Sequence, residues 1–323
     1  MNLKRIIGGP LLAIIFLGGF VYTINGAQRF FDNSAKLPEE KVFLGSVSSG
    51  LESVIDKNST NELLENPVAP VILKVVPLEQ KQEINISAKS VISVESDLNN
   101  YSKIIFEKNS DEKLPIASLT KLMTAIIVLD NYNLSDTWVV SKIADSQSSI
   151  RQDVKLGQEL TIKSFLEIML VESSNKSAYA LSELVGKSNF IDLMNQKAEE
   201  LELKDTIFVD PTGLSHKNVS TAKDLVKLTE YIIKNYPQIA EISQFKKLYV
   251  EGFGDIINTD QLLGEIPEIV CSKTGFTTLA KGCLLLAVKN PQSNNYLINV
   301  VLGSDDRFGE MKKLINWSVE SCK

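Results

Sequence analysis

The sequence predicts an α/β fold of the α+β type: an antiparallel sheet built from both ends of one domain, with flanking helices and an inserted all-helical subdomain. Three observations lead there. Alternating β-branched segments open the domain as a hairpin, Ser90–Ser96 and Tyr101–Glu107, about the turn-forming run Asp97-Leu98-Asn99-Asn100. Three successive apolar segments close it, Glu268–Gly275, Cys283–Val288 and Tyr296–Leu302. Between the two sets, from about Ser141 to Phe253, the apolar period becomes that of helices. The short connections at both ends make neighbouring strands antiparallel.

Taken in order, the chain begins with Lys4 and Arg5, followed by the almost uncharged stretch Ile6–Ile24. Nineteen residues suffice to cross a bilayer as a helix, and the preceding cations predict that the rest of the chain lies outside the cytoplasm. The best cleavage candidate, Asn25-Gly26-Ala27, has asparagine where a small residue is needed, which favours a retained anchor over a cleaved signal. Residues 1–27 are therefore expected to be the membrane segment. Residues 28–84, with Pro38, Pro67, Pro70 and Pro77 among polar residues, are expected to form a stalk, and residues 85–323 a catalytic domain with its helical insertion at about 141–260. Within that domain, the run from Ser118 to Asp130 is apolar nearly all round and predicts a centrally buried helix. Ser164-Phe165-Leu166-Glu167 matches a capping box. Asn175–Val185, Phe190–Leu201 and Ala222–Lys234 predict further helices, and Phe308–Ser321 a closing one.

Composition narrows the chemistry. A hydrophobic fraction of 44% with 23% charged residues is that of a globular protein. A net charge of −6 argues against a nucleic-acid partner, because polyphosphate binding needs a basic face. The single histidine, His216, excludes zinc hydrolysis based on histidine pairs and is expected to be a solvated loop residue. Three cysteines give neither a disulfide framework nor a zinc signature, so Cys271 and Cys283 are expected to be reduced core residues, with a bridge between them as the alternative. No metal or cofactor is expected.

Ser118-Leu119-Thr120-Lys121 puts a hydroxyl at a helix N-terminus, beside unpaired backbone N–H groups. Lys121 shares its helical face and, with its pKa lowered by burial, can act as a base without histidine. The same spacing begins at Ser110, Ser173, Ser220 and Ser243, but only at Ser118 does the lysine enter a run too apolar to face solvent. Ser173-Ser174-Asn175, between two predicted helices, offers a hydroxyl and a carboxamide to one cleft. Lys273-Thr274-Gly275 lies on a predicted strand whose alternation sends Lys273 and Gly275 to one face and Thr274 to the other. Glu172 beside Ser173 is expected to be a solvated helix end, and Asp210 and Asp224 to serve turns and caps.

In that order, the three motifs resemble the signature of the penicillin-binding proteins and serine β-lactamases. The two serines lie 55 residues apart, and Lys273 follows Ser173 by 100. From about Ile86 onward the chain is similar to the low-molecular-mass D-alanyl-D-alanine carboxypeptidases. Leu114-Pro115-Ile116-Ala117, Asp210-Pro211-Thr212-Gly213-Leu214 and Ser220-Thr221-Ala222-Lys223-Asp224 support this. The resemblance implies a β-lactamase/DD-peptidase-like fold and hydrolysis of stem peptides ending in D-Ala-D-Ala through an acyl-enzyme on Ser118. It implies that Lys121 is the base, that Ser173 with Lys273 protonates the leaving group, and that Asn175 holds the peptide amide. Lys273, Thr274 and Arg307 would receive the terminal carboxylate, with Gly275 leaving room for the substrate backbone. The N–H groups of Ser118 and Phe276 would form the oxyanion hole. β-Lactams are implied as covalent inhibitors. Ser-Ser-Asn replaces the Ser-Asp-Asn of class A β-lactamases, and no Glu-x-x-Leu-Asn lies between Ser173 and Lys273, which disfavours β-lactam hydrolysis. A D,D-endopeptidase and a β-lactam sensor or scaffold without turnover are the alternatives.

Overall fold

Ser90–Ser96 is buried at every residue, which requires a strand covered on both faces and paired on both edges. The computed structural model describes residues 84–322 apart from 100, 150 and 152, all within the unit Pro77–Lys323. The chain runs β1 (Ser90–Ser96), β2 (Ser102–Lys108) and β3 (Leu114–Pro115), then a 3-10 turn at Ala117–Leu119 into α1 (Thr120–Asn131). Next come β4 (Thr137–Val139), α2 (Lys142–Asp145), β5 (Glu159–Thr161), α3 (Ile162–Val171), α4 (Asn175–Glu183) and α5 (Lys187–Glu200). They are followed by β6 (Val219–Ser220), α6 (Ala222–Asn235), α7 (Pro237–Gln244), β7 (Lys247–Val250) and β8 (Gly254–Ile257). The last part is β9 (Ile269–Thr277), β10 (Lys281–Lys289), β11 (Tyr296–Ser304) and α8 (Arg307–Ser321).

The five-stranded sheet has the order β2-β1-β11-β10-β9, and every pairing is antiparallel. Thus β1, from the start of the domain, lies against β11 from its end, as the sequence predicts. Alternation gives the sheet two apolar faces. Cys271, Leu285, Ala287, Ile298 and Val300 join the core shared with α1, α3 and α6. Leu284, Leu286, Leu297 and Val301 pack instead with Met311, Leu314 and Ile315 of α8. Cys271 and Cys283 are both free and buried. Cys271 faces Ala287 and Cys283 faces Gly275 in the β9–β10 register, which separates them by about 13 Å along the ladder at ~3.3 Å per residue. A disulfide is out of reach.

Helix α1 is buried at every residue from Thr120 to Val128, polar ones included, in agreement with its all-round apolar pattern. The capping-box expectation is corrected. Thr161 is the N-cap of α3 and its hydroxyl accepts from Ser164 N, while the buried Glu167 pairs with Lys163 one turn before it. Threonine at the cap followed by serine in the first turn hides the start by three residues. The middle of the chain also holds three two-stranded ribbons, β3–β6, β4–β5 and β7–β8, that the helical reading omits. Strands of two to four residues are too short to express a period of two. The expected membrane segment and stalk lie outside the described residues, apart from the last residue of the stalk. Among the described residues, no helix is long and apolar enough to cross a membrane.

One buried carboxylate ties the two ends of the domain together. Glu310 on α8 accepts from Ser87 N at 2.6 Å, Ser87 Oγ at 2.5 Å and Ala88 N at 3.0 Å, and also from the Ser304 hydroxyl. Burial alone raises its pKa. The hydrogen bonds from Ser304, Ser87 and Ala88 more than reverse this and leave it below the usual glutamate value. A depressed carboxylate pKa stabilises the fold above the unfolded value, and the benefit is lost as pH falls through the folded one. Glu310→Gln should therefore destabilise the domain by about 1–3 kcal/mol at neutral pH. The deficit should shrink below the usual glutamate range, as measured by thermal unfolding at several pH values.

Candidate active site

The 3-10 turn before α1 brings Ser118 to the mouth of a helix without a side-chain N-cap. Ala117 is held at φ 47°, a left-handed conformation that costs a non-glycine residue about 1 kcal/mol. Two glycines occupy the space around this turn. A Cβ on Gly213 would stand 1.9 Å from the Ala117 carbonyl oxygen, and one on Gly275 would stand 3.0 Å from Ser118 N. The β9 backbone therefore passes directly beside the Ser118 N–H.

Lys121 is fully buried, and its Nζ has three oxygen neighbours: Ser118 Oγ at 2.9 Å, Asn175 Oδ1 at 2.7 Å and Thr212 O at 2.6 Å. The Asn175 amide donates from its other end to Ser148 O at 2.8 Å, which fixes the oxygen towards Lys121. Burial lowers the Lys121 pKa to about 7, against partial opposition from the Asp210 and Asp153 carboxylates. In the neutral amine, Asn175 Oδ1 and Thr212 O, which can only accept, take the two N–H groups. The lone pair is left for the Ser118 hydroxyl. The arrangement can accept a proton from Ser118 Oγ.

Ser173, in the turn between α3 and α4, sits at φ 62°, and its hydroxyl accepts from Lys273 Nζ at 2.9 Å. Lys273 comes from β9, an edge strand of the sheet, and also donates to Thr274 O. Burial lowers its pKa well below the usual lysine value, the Lys121 and Arg307 cations lower it further, and Asp260 acts in the opposite sense. Alternation along β9 holds as expected, with Lys273 and Gly275 on the helical face. Thr274 still lines the cleft, and its hydroxyl shares a 2.6 Å hydrogen bond with that of Thr259. Arg307, at the start of α8, donates to Gly275 O at 2.9 Å.

Ser118, Ser173, Asn175, Thr274, Gly275, Phe276 and Arg307 line one cleft of about 390 Å³, with Lys121 and Lys273 behind its wall. All nine residues singled out in the sequence are thus gathered at one place. Glu172 is a correction. It is half-buried in the cleft wall, burial raises its pKa, and it accepts from Ile257 N at 3.4 Å, so it is not a solvated helix end. Sequence reasoning missed Thr212, Thr259 and Ser148. Two of them act through backbone carbonyls, which leave no mark in a side-chain pattern. His216 is exposed, as expected.

A serine at a helix mouth, a buried lysine below it, and a second serine–lysine pair under the edge of an antiparallel sheet define a penicillin-binding, DD-peptidase-like protein. The chain belongs to the D-alanyl-D-alanine carboxypeptidase family, Peptidase_S11, whose model matches residues 77–306. It is 30% identical to the D-alanyl-D-alanine carboxypeptidase DacF of Bacillus subtilis over 74% of this chain and 64% of that one. It is 33% identical to the D-alanyl-D-alanine endopeptidase of Escherichia coli over 79% and 85%. The ampicillin-bound penicillin-binding protein D2 of Listeria monocytogenes superposes with a TM-score of 0.63 at 26% identity, covering 73% of this chain and 99% of that one.

The titration of Lys121 is directly measurable. With lysine labelled by 13C at the ε-carbon, one resonance, absent from Lys121→Met, should titrate with a midpoint near pH 7.

Proposed function

We propose that this protein is a serine-type D-Ala-D-Ala carboxypeptidase that removes the terminal D-alanine of peptidoglycan stem peptides. The observation that carries this reading is the neutral-amine geometry of Lys121, aimed at a hydroxyl in an open cleft. Lys121 takes the Ser118 proton as Oγ attacks the carbonyl of the penultimate D-alanine. The Ser118 and Phe276 N–H groups hold the developing oxyanion, and losing one such donor typically costs ~10²–10³ in rate. Ser173, supplied by Lys273, gives a proton to the departing D-alanine nitrogen. Water then cleaves the Ser118 ester. Asn175 keeps one N–H beyond its bond to Ser148 and offers it to the peptide amide.

The terminal carboxylate is assigned to Lys273, Thr274 and Arg307. Lys273 and the Arg307 guanidinium stand in and behind one wall of the cleft and repel one another, and an anionic substrate relieves that repulsion, whatever the net charge of the protein. A β-lactam carries the same carboxylate beside a reactive carbonyl, so penicillin acylates Ser118. The apolar segment behind Lys4 and Arg5 is assigned as the anchor that holds the domain on the outer side of the cell membrane. Cleavage of peptide cross-links is the second reading, favoured by the longer match to the Escherichia coli endopeptidase than to the Bacillus subtilis carboxypeptidase.

Intact-mass spectrometry after penicillin should show one adduct that maps to the Ser118 peptide. It should be absent from Ser118→Ala and present in Ser110→Ala. A label that survives Ser118→Ala rejects the nucleophile. Faster release of D-alanine from a pentapeptide than cleavage of a cross-linked dimer supports the first reading, and the reverse order supports the second.

A further inference from the structure

The turn that delivers the Thr212 carbonyl to Lys121 is organised by a single side chain. Asp210 Oδ1 accepts from Thr212 N at 2.7 Å, Thr212 Oγ1 at 2.6 Å and Gly213 N at 2.7 Å, and its Oδ2 accepts from Ser215 N at 2.9 Å. The turn is then pinned to α1. Thr124 Oγ1 donates to Pro211 O at 2.7 Å, and Asn218 Nδ2 donates both to Thr120 Oγ1 and to Asp210 O. Gly213 closes the assembly against the Ala117 carbonyl.

We propose that Asp210 is a positioning residue for Lys121: its carboxylate shapes the turn that holds the Thr212 carbonyl on Nζ and brings a negative charge to that turn. The proposal rests on the Ser118–Lys121 chemistry proposed above. A structural carboxylate would need only the hydrogen bonds. This one stands two residues from the carbonyl that contacts the ammonium, and its charge opposes the effect of burial on Lys121. The other charged groups that act on Lys121 are Asp153 from the segment before β5 and Lys273 from β9. Asp153 is bound to Ser174 Oγ at 2.5 Å, and Lys273 repels the ammonium. Of the two carboxylates, Asp210 favours the ammonium more strongly.

The test is the pH dependence of the rate at which a fluorescent penicillin acylates the full chain. In the wild type the rate should rise with pH through about 7 as Lys121 loses its proton. Asp210→Asn keeps the size and most of the acceptors but removes the charge, so the acid limb should move down by ~1 pH unit. Asp210→Glu should return the limb towards its wild-type position. Asp255→Asn, which removes a surface carboxylate paired with Lys247, should leave it in place. A turn that is merely loosened would admit water to Lys121 and move the limb up. A limb that stays put or moves up in Asp210→Asn overturns the proposal. If that variant does not fold, Asp210→Ser, which keeps one small acceptor, is judged by the same criterion. A wild type that is not labelled at Ser118 refutes the nucleophile itself, whereas normal wild-type labelling with an unmoved Asn limb refutes only the role of Asp210.

Discussion

An ammonium group without water is the constraint around which this site is built. Lys121 stands in a helix buried from Thr120 to Val128, where a solvated charge has no place. Moving a lysine into such surroundings costs several kcal/mol unless the group is neutralised or its protons are all received by acceptors. The structure provides for both states. Three oxygens surround Nζ, enough to receive every proton of the charged form. Two of them are acceptors only, so the neutral form has its lone pair directed at Ser118. Burial is thus the cause of the basicity, and the three partners are the cause of its direction.

A second buried lysine sharpens the problem. Lys273 feels Lys121, Arg307 and Arg151 as like charges, and Asp260 is the favourable charge acting on it. Asp260 is itself buried behind β9, hydrogen-bonded to Ser272, with its pKa raised by burial. It therefore offsets the repulsion only in part. A cleft that holds cations this close in low dielectric is under electrostatic tension when empty, and a carboxylate arriving at Thr274 releases it. The same tension explains why the lysines come from different elements. A helix holds one and an edge strand the other, each fixed by its own packing, so neither can swing away to relieve the strain.

The sheet was legible because its strands are long enough to show their period and lie at the two ends of the domain. The nucleophile helix was legible because Leu122 to Leu129 leaves no polar face. What escaped were features with no periodic or side-chain signature. The ribbons β3–β6, β4–β5 and β7–β8 are too short, and the cap of α3 was misplaced because Thr161 and Ser164 are both good capping residues. The site was legible through its motif residues, and all nine came together. Its carbonyl partners at Thr212 and Ser148 were invisible, since any residue type supplies a carbonyl. Glu172 was misjudged because sequence shows a helix end but not the strand, β8, that covers it.

The position of Ser118 is decided by segments far from it in the chain. Its turn carries Ala117 in a left-handed conformation, which an isolated peptide would abandon. Two backbones lock it there. The 210–215 turn lies so close that Gly213 can have no side chain, and β9 passes so close that Gly275 has hardly more room. Gly213 sits at φ 84°, where a side chain would be strained, whereas Gly275 has no such conformation to account for it. Both are needed because a methyl group would fill the space in which the Ala117 carbonyl and the Ser118 N–H sit. The hydroxyl, its base and its neighbouring backbone donor are therefore aligned only when the helix, the 210–215 turn and the sheet edge are all docked. A fold that frays at any one of the three keeps its motifs and loses the geometry that makes them a site.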